Sequence, residues 1–495
     1  TTYKIPFAWS DQELFEKFVE KFIEPTIEKK VKKKKKILSK VSVVEENVIE
    51  AIKENASPEP VTENVTERTE DQLVPESVTE RTEDQLVPES VTEATEEQTS
   101  SEPVKDGSDI PCDFTALTRE QTIHTLKLKP FPYKRNFIRD IQERFKKLKE
   151  FKGYPLKTIE PSKEYYIRDF DITRVPKPTR YTALNNYIHV YPDMYYVDVL
   201  SDVFQEEERV KGVRKYHNRY QPSIYSLYFE HIETIIDVIC KNNKAITLEN
   251  LRETLYNVYG HRELTTFKPT IVRTFIEMFR SELLAIDDNH HQVLEMLDIS
   301  AGWGDRLLGA MASGIRYTGF DPNRNLAEGY EKMIEEFGII ADHRVYSTEF
   351  QNSAAVFDAS KTDRRFHIAI SSPPYFDLEK YVPDNDRFAT EQSIYRKNAK
   401  QWYNDFLVPS VDIVMDRLYP GGIFVLNIAN SDNRVKYTED IVNYLAGRKD
   451  TEYLGVIAQW VGWRDAKKPV QQKAAQPFFI FKKRLQGSDA GPSKP

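Results

Sequence analysis

The residues with the most distinctive chemistry lie just after His367–Ile370, an apolar run typical of a buried strand, and are separated from it by Ser371. They are Ser372, Pro373, Pro374 and Tyr375. Two consecutive prolines stiffen the backbone and remove two N–H donors, which leaves carbonyl groups as acceptors. The Ser372 hydroxyl and the Pro373 carbonyl suit the two protons of an exocyclic amino group, and the Tyr375 ring suits stacking of a flipped-out base. The segment therefore predicts chemistry on a planar NH2 group, whereas the plain alternative is an ordinary Pro-Pro turn.

A glycine-containing turn follows a second apolar run, Val293–Ile299. Glycine lets a backbone approach a ligand closely, and ligands of open α/β sheets lie at the carboxyl ends of the strands. Asp321 ends the next predicted strand, Tyr317–Phe320, where an acid is placed to accept both hydroxyls of a ribose. The dinucleotide pattern GxGxxG is absent because Gly309 falls too late, so a nucleoside without pyrophosphate, such as S-adenosylmethionine, fits better. The candidate cofactor-binding residues of this region are Asp298, Ala301, Gly302, Gly304 and Asp321.

The elements that must position these residues read as βα units from Gln292 onward, because short apolar runs alternate with helical stretches. We predict an α/β fold with a Rossmann-like sheet of seven strands, preceded by a mostly helical domain and a disordered acidic N-terminal region. The predicted strands are Val293–Ile299, Tyr317–Phe320, Arg344–Tyr346, His367–Ile370, Ile423–Ile428, Tyr453–Trp460 and Pro477–Lys482, the last two paired with each other. The predicted helices are Arg306–Ser313, Asn325–Phe337 and Trp402–Leu418.

With these motifs in place, the chain resembles the S-adenosylmethionine-dependent amino-methyltransferases that act on cytosine N4 or adenine N6 of DNA. The segment Asp298–Gly304, DISAGWG, resembles the first motif of that family, and Asp321 resembles its ribose-binding acid. Ser372–Tyr375, SPPY, resembles its catalytic motif. The resemblance covers roughly Leu264–Arg484 and implies a methyltransferase that uses S-adenosylmethionine and acts on DNA. It also implies that an upstream motif approaches the methionine end of the cofactor, and the matching residues are Lys268, Pro269 and Thr270.

The chain departs from the family pattern in two respects. The third-strand acid that reaches the cofactor adenine is not obvious, and Glu349 and Asp342 are both candidates. No separate target-recognition domain follows the catalytic motif, so recognition is expected from Pro111–Tyr259, from the loop Asp377–Lys397 or from a partner. The charged segment Asp384–Arg396 either closes over the substrate or is a surface loop.

Net charge is -8, which by itself argues against a nucleic-acid partner, but the charge is unevenly distributed. Val41–Asp109 holds 20 acidic and 4 basic residues, a net of -16, and the remainder of the chain is therefore +8. This acidic stretch contains a thirteen-residue duplication, Val65–Ser77 and Val78–Ser90, and a partial third copy at Val91–Glu97. With almost no aromatic residues it cannot bury enough apolar surface to offset its ordering entropy, so we predict a disordered linker.

The composition divides the chain into five regions. Residues 1–40 combine an amphipathic helix at Trp9–Ile23, a candidate surface for a protein partner, with the basic run Lys29–Lys36, which is a solvated tail, a nuclear import signal or a polyanion contact. Residues 41–109 are the acidic repeat linker, 110–262 a mostly helical accessory domain, 263–484 the methyltransferase domain and 485–495 a disordered tail.

In the accessory domain, tyrosines lie among basic residues and predict either core packing or a base-stacking surface. These are Tyr195, Tyr196, Tyr216, Tyr220, Tyr225 and Tyr228 with Lys211, Arg214, Lys215 and Arg219.

Two cysteines, Cys112 and Cys240, form neither a disulfide framework nor a zinc pattern, so we predict no metal and a reducing compartment. No apolar run reaches the ~18 residues of a membrane span. Thr1–Trp9 lacks the sequence of charged, apolar and small residues that is typical of a signal peptide. The expected location is intracellular, in cytoplasm or nucleus, and the duplication suggests a fast-evolving, viral genome.

Two other functions stay open: a methyltransferase of this fold acting on an RNA base or a protein amide, and a nucleic-acid-binding protein that keeps the fold without turnover.

Overall fold

The computed structural model describes residues 117–158, 170–181, 186–216, 219–260, 263–286, 293–359, 364–384, 386–388, 398–430, 436–460 and 475–485. The helix predicted at Trp9–Ile23, the lysine run, the acidic repeats and the C-terminal tail lie outside these ranges, so those predictions stay predictions. Glu102–Pro495 forms one compact unit, and all elements below belong to it.

Twelve strands are present in the described part of the chain. They are β1 (Leu156–Thr158), β2 (Asn186–His189), β3 (Val213–Tyr216), β4 (Arg219–Tyr220), β5 (Glu295–Asp298), β6 (Arg316–Phe320), β7 (His343–Tyr346), β8 (Phe366–Ser371), β9 (Glu379–Lys380), β10 (Leu418–Leu426), β11 (Thr451–Trp460) and β12 (Ala475–Lys483).

The α-helices of the same ranges fall into two groups. Those before the sheet motifs are α1 (Arg119–Lys127), α2 (Ile141–Glu150), α3 (Tyr195–Asp198), α4 (Asp202–Arg209), α5 (Ile224–Glu230), α6 (Ile232–Lys241), α7 (Leu248–Tyr259) and α8 (Pro269–Leu284). Those between the later strands are α9 (Asp305–Ala312), α10 (Ala327–Phe337), α11 (Ala354–Ala359), α12 (Ala399–Trp402), α13 (Val408–Arg417) and α14 (Tyr437–Gly447). The five residues Tyr403–Leu407 form a π-helical turn that joins α12 to α13.

Nine strands form the main sheet in the order β1-β2-β11-β12-β10-β8-β5-β6-β7. The strands β10, β8, β5, β6 and β7 are mutually parallel, and β12 runs antiparallel between β10 and β11. All seven predicted strands are present in the main sheet, so the prediction of an α/β fold with a Rossmann-like sheet is confirmed, and β1 and β2 extend the predicted seven strands to nine. The strand order reverses between β5 and β8, and a ligand site is expected at the carboxyl ends of strands at such a point.

The sheet is buried on both faces because its strands carry apolar residues at consecutive positions. In β10, Ile423 and Val425 face one cluster, which includes residues of α8 and α9. Phe424 and Leu426 face the other, which includes residues of α13 and α14. The helices therefore cover the two faces, and the carboxyl edge of the sheet is left to polar residues.

The region predicted as a helical accessory domain also contains strands. β2 pairs in parallel with β11, and β1 pairs with β2, so both extend the main sheet. β3 pairs with β4 and with β9, which follows the SPPY segment closely in sequence. The helices α1, α5, α6 and α7 bury a core of their own. The prediction of mostly helical structure missed these four strands, and the domain boundary near residue 262 stays a prediction.

Gly455 provides a test of how β11 is seated in the sheet. Its φ is +127°, and a Cβ at this position would lie 2.1 Å from the backbone oxygen of Tyr181, with which Gly455 forms a β-bridge. Gly455→Ala should therefore lower the free energy of unfolding by more than about 2 kcal/mol, because a backbone atom has little room to move. Denaturant unfolding measures this change.

The matched control is Gly447→Ala at the end of α14. A Cβ there meets nothing within 4 Å, so the substitution should change stability by less than about 1 kcal/mol. Equal stability of the two variants would contradict the described packing of β11 against Tyr181.

Candidate functional site

The carboxyl edge of the sheet collects the predicted motifs. β5 ends at Asp298, Asp321 follows β6, and Ser372 follows β8. Asn427, which the sequence analysis did not single out, follows β10. Because these strands are parallel, their ends share one edge, and the reversal of strand order places Asp298 and Ser372 at adjacent strands.

Asp298 is fully buried and accepts four hydrogen bonds. Oδ1 accepts from the Ser300 N–H at 3.1 Å and from the Ser371 hydroxyl at 2.7 Å. Oδ2 accepts from Arg306 Nε and from the Tyr317 hydroxyl, each at 2.7 Å. A carboxylate offers about four lone-pair positions, so this set saturates it. Asp298 therefore ties β5 to β6, to β8 and to the glycine turn, and has no exposed atom for a cofactor.

The two glycines of the turn differ in their surroundings. Both have left-handed backbone, with φ of +58° at Gly302 and +86° at Gly304. A Cβ on Gly302 would meet no atom closer than 3.6 Å, whereas a Cβ on Gly304 would lie 2.6 Å from Sδ of Met333 on α10. The Ala301 N–H donates to the Phe320 carbonyl at 2.8 Å, which joins the turn to β6. The open surface of the turn is therefore at Gly302, while Gly304 serves close packing of α10.

Asp321 faces the same turn. Its Oδ2 accepts from the Gly302 N–H and its Oδ1 from the Asn323 N–H, both at 2.9 Å. Burial raises the pKa of the Asp321 carboxyl to about 6, although the two N–H donors act in the opposite direction. Two of its acceptor positions remain for further donors. Beside it, Nδ2 of the buried Asn323 has no hydrogen-bond partner among the described residues.

The two candidate acids of the third strand lie at opposite ends of β7. Asp342 precedes β7 and accepts from Arg316 Nε at 2.9 Å, at the edge away from Gly302. Glu349 follows β7 on the carboxyl side, where its Oε2 accepts from the side-chain amides of Gln351 and Asn352. Of the two, the fold leaves only Glu349 on the side of Asp321.

Lys268, Pro269 and Thr270 begin α8. The buried Thr270 hydroxyl donates to Oδ1 of Asp198 at 2.6 Å, and Lys268 Nζ lies 3.2 Å from Oδ2 of the same carboxylate. These two side chains therefore bind α3 of the accessory region. The preceding residue, Phe267, lies with its ring centre 5.0 Å from the Arg306 guanidinium, so this segment still borders the glycine turn.

The SPPY segment is organised by Asn427. Oδ1 of Asn427 accepts from the Ser372 hydroxyl at 3.1 Å, from the Tyr375 hydroxyl at 2.8 Å and from Gln476 Nε2 at 2.9 Å. The amide is fixed in turn, because its Nδ2 donates to the Pro477 carbonyl at 2.7 Å and its backbone N–H to the Ser371 carbonyl at 2.9 Å. The sequence signal for Asn427 was a lone polar residue at the end of a predicted strand.

The hydroxyl groups of the segment are neutral donors to Asn427. Burial raises the pKa of the Tyr375 hydroxyl, which keeps the phenol protonated. The next residue, Phe376, has a φ of +49°, a strained value for a non-glycine residue, and its ring packs 5.9 Å from that of buried Trp402. The backbone after Tyr375 is thus held in an unusual bend by packing of the Phe376 side chain.

The chain after this bend contacts the segment before α8 and the loop after Asp321. Glu379 accepts from the Thr265 hydroxyl at 3.1 Å, and the Thr265 carbonyl accepts from Nε1 of Trp303 in the glycine turn at 3.2 Å. Further on, Asp386 accepts from Asn325 Nδ2 at 3.2 Å. Within the described part of Asp384–Arg396 the segment therefore contacts the loop after Asp321, and its closure over a substrate stays a prediction.

The described residues hold no cluster of metal-ligating side chains, and none of the helices they form is long and apolar enough to cross a membrane.

No family model and no curated protein sequence matches the chain. Solved structures with some similarity include an rRNA methylase from Streptococcus thermophilus, with 14% identity over 45% of this chain and 100% of that one, at a TM-score of 0.26. A SAM-dependent methyltransferase from Agrobacterium tumefaciens matches with 17% identity over 46% of this chain and 65% of that one, at a TM-score of 0.30. A precorrin-6y C5,15-methyltransferase from Geobacter metallireducens matches with 14% identity over 42% and 89%, at a TM-score of 0.25. Values this low assign neither substrate nor activity.

The different surroundings of the two glycines predict different stability losses. Gly302→Ala should cost about 1 kcal/mol, the usual penalty for alanine in left-handed backbone with free space around it. Gly304→Ala should cost about 2–3 kcal/mol, because Met333 must also move. Thermal and denaturant unfolding measure both, and a Gly302 variant that is the less stable of the two would contradict this packing.

Proposed function

We propose that this chain transfers a methyl group from S-adenosylmethionine to the exocyclic amino group of a DNA base, at N4 of cytosine or N6 of adenine. The observation that carries the proposal is the convergence of the Ser372 and Tyr375 hydroxyls on Asn427, one strand away from the turn that joins Gly302 to Asp321. This arrangement supports an amine acceptor beside a nucleoside ligand.

The residues at the carboxyl edge fit S-adenosylmethionine. The ribose hydroxyls would donate to the two remaining acceptor positions of Asp321, and the unpartnered Nδ2 of Asn323 offers a donor beside them. The methionine part would pass over Gly302, where a side chain is absent and space is open. When bound, the cofactor supplies a methyl group on a sulfonium that a nitrogen lone pair can accept.

The hydrogen bond that Ser372 donates determines whether its hydroxyl can act as a donor or as an acceptor toward an amine. Its only proton goes to Asn427, so the lone pairs of its oxygen remain as acceptors for an amino N–H. The Pro373 carbonyl, to which no N–H of the described residues donates, suits the second proton. Two acceptors arranged in this way draw the nitrogen lone pair out of conjugation with the ring and favour its attack on the methyl group. In such a transfer the C–N bond would form as the C–S bond breaks, the sulfur would keep the electron pair of that bond, and the extra proton would pass from the nitrogen to solvent.

Tyr375 has a different part in the proposal. Its hydroxyl is anchored on Asn427, which fixes the half-buried ring, and this ring would stack on a flipped-out base. Because the Asn427 oxygen accepts from three donors, loss of the tyrosine hydroxyl still leaves it with two.

Substitutions in the SPPY segment separate chemistry from capture of the base. Ser372→Ala should lower single-turnover rate by roughly 10-fold to 100-fold with cofactor affinity unchanged, because the lost acceptor interaction strengthens in the transition state. Tyr375→Ala should weaken DNA binding by about 1–3 kcal/mol, and Tyr375→Phe, its matched control, should be nearly silent. Rapid-quench methylation of DNA with calorimetry of S-adenosylhomocysteine binding measures both, and full activity of Ser372→Ala and Tyr375→Ala would remove the proposal.

The raised pKa of Asp321 predicts a pH dependence of cofactor binding. The ionised carboxylate is the form that accepts ribose hydroxyls, and it is depleted as pH falls through about 6, so the affinity for S-adenosylhomocysteine should decline below that value. Calorimetric titration between pH 5 and pH 8, a range of about three units around this pKa, would show the decline.

Two variants serve as controls. Asp321→Asn should bind weakly at every pH. Asp305→Asn should retain the decline, because buried Asp305, whose pKa burial raises to about 7, is bound to the Ser201 hydroxyl and not to the turn face of Gly302. An unchanged affinity of wild type across the range would contradict the role given to Asp321.

A further inference from the structure

We propose that the hairpin formed by β3 and β4 binds unpaired nucleotides that flank the target base, with Tyr216 stacking on a base and Arg219 contacting the backbone. The inference rests on the proposed function and adds to it a surface for the nucleic-acid strand.

The hairpin is attached to the chain that leaves the SPPY segment. Val213 pairs with Lys380 and Arg214 with Glu379, and the Lys215 N–H donates to the Leu378 carbonyl at 2.8 Å. These partners lie only three to five residues after Tyr375. The hairpin is therefore attached to the protein within five residues of Tyr375, the ring proposed to stack on the target base.

One face of the hairpin is used for this attachment. Lys215 and Tyr220 are cross-strand partners, and side chains that pair across two strands share a face. The Tyr220 hydroxyl donates to the Asp377 carbonyl at 2.8 Å, Lys215 forms an ion pair with the Asp377 carboxylate, and Lys380 Nζ lies 4.7 Å from the centre of the Tyr220 ring. This face is fixed against the segment that follows the bend.

The opposite face carries Tyr216 and Arg219. They are also cross-strand partners and therefore lie side by side, on the face away from Tyr220 because residues alternate along each strand. Tyr216 is 66% exposed, and Arg219 is exposed. No acidic side chain of the described residues lies within ion-pair distance of Arg219. An exposed ring beside a cation is the pair of groups with which single-stranded nucleic acid is bound.

The charges nearby favour stacking over bulk electrostatic attraction. Residues 110–495 hold 55 basic and 52 acidic residues, so this part of the chain is nearly neutral. The acids Asp377, Glu379 and Asp384 pair with Lys215, Arg214 and Lys380 respectively. We therefore expect a short contact in which one ring stacks on a base and one cation binds the backbone. Stacking of this kind needs exposed base faces, which a paired duplex does not offer. The nucleotides on either side of the target base in a single-stranded substrate, which base-modifying enzymes can also use, expose such faces.

The double variant Tyr216→Ala/Arg219→Ala tests the proposal in the full chain. Its affinity for a fluorescently labelled single-stranded DNA should fall by roughly 10-fold or more in anisotropy titrations, while S-adenosylhomocysteine affinity and the melting temperature stay unchanged. Tyr216→Phe should retain binding, and Arg219→Ala alone should reduce the salt slope of log K by about 1. The matched control Lys241→Ala/Tyr444→Ala removes an exposed cation and an exposed tyrosine elsewhere and should bind as wild type.

Each outcome bears on one proposal or both. Wild type that binds and methylates DNA, with an unaffected hairpin variant, overturns the hairpin assignment and leaves the proposed function standing. Binding that depends on Tyr216 and Arg219 without any methylation supports the hairpin and overturns the proposed function. Absence of binding to single-stranded DNA by wild type, an equal loss in the control, or a loss seen only with RNA or a protein partner overturns the hairpin assignment as stated.

Discussion

The saturated carboxylate of Asp298 is the interaction on which the site depends. Its four donors come from β6, β8, the glycine turn and α9, so one buried side chain fixes the relative positions of the elements that carry the glycine turn, Asp321 and the SPPY segment. Its charge is compensated by Arg306, itself only 4% exposed. Removing the carboxylate would leave a buried guanidinium uncompensated, a change that typically costs about 3–5 kcal/mol. The sequence predicted that this acid binds the cofactor, and in the structure both of its oxygens accept hydrogen bonds from protein groups.

Asn427 repeats this arrangement on the substrate side. It directly follows β10, yet the groups that it orients belong to the segment after β8 and to β12. The two polar centres are connected directly, because Ser371 donates its hydroxyl to Asp298 and its carbonyl accepts from the Asn427 backbone. The proposed cofactor side and the proposed substrate side therefore share one rigid residue at the end of β8.

The elements that could be predicted from the sequence are those whose own residue pattern is sufficient to specify them. Strands such as β8 and β10 were found because continuous apolar runs are required where both faces of a sheet are buried. β1 and β2 were missed because three or four residues with few apolar side chains become strands only through pairing, β2 with β11 and β1 with β2. The different roles of Gly302 and Gly304 depend on Met333, which lies about thirty residues away in sequence. The role of Asn427 depends on groups that lie about fifty residues away. Such partners follow from the tertiary fold, which spacing in a single sequence does not contain.

The most direct test of the account is the identity of the methylated product. The protein is incubated with S-adenosylmethionine bearing a deuterated methyl group and, in separate reactions, with single-stranded DNA, duplex DNA, RNA and a protein mixture, and the products are digested and analysed by mass spectrometry. The account predicts deuterated N4-methylcytosine or N6-methyladenine in DNA, and none when Ser372→Ala/Tyr375→Ala replaces wild type. Label on a ring carbon, only in RNA or protein, or in no product would contradict it.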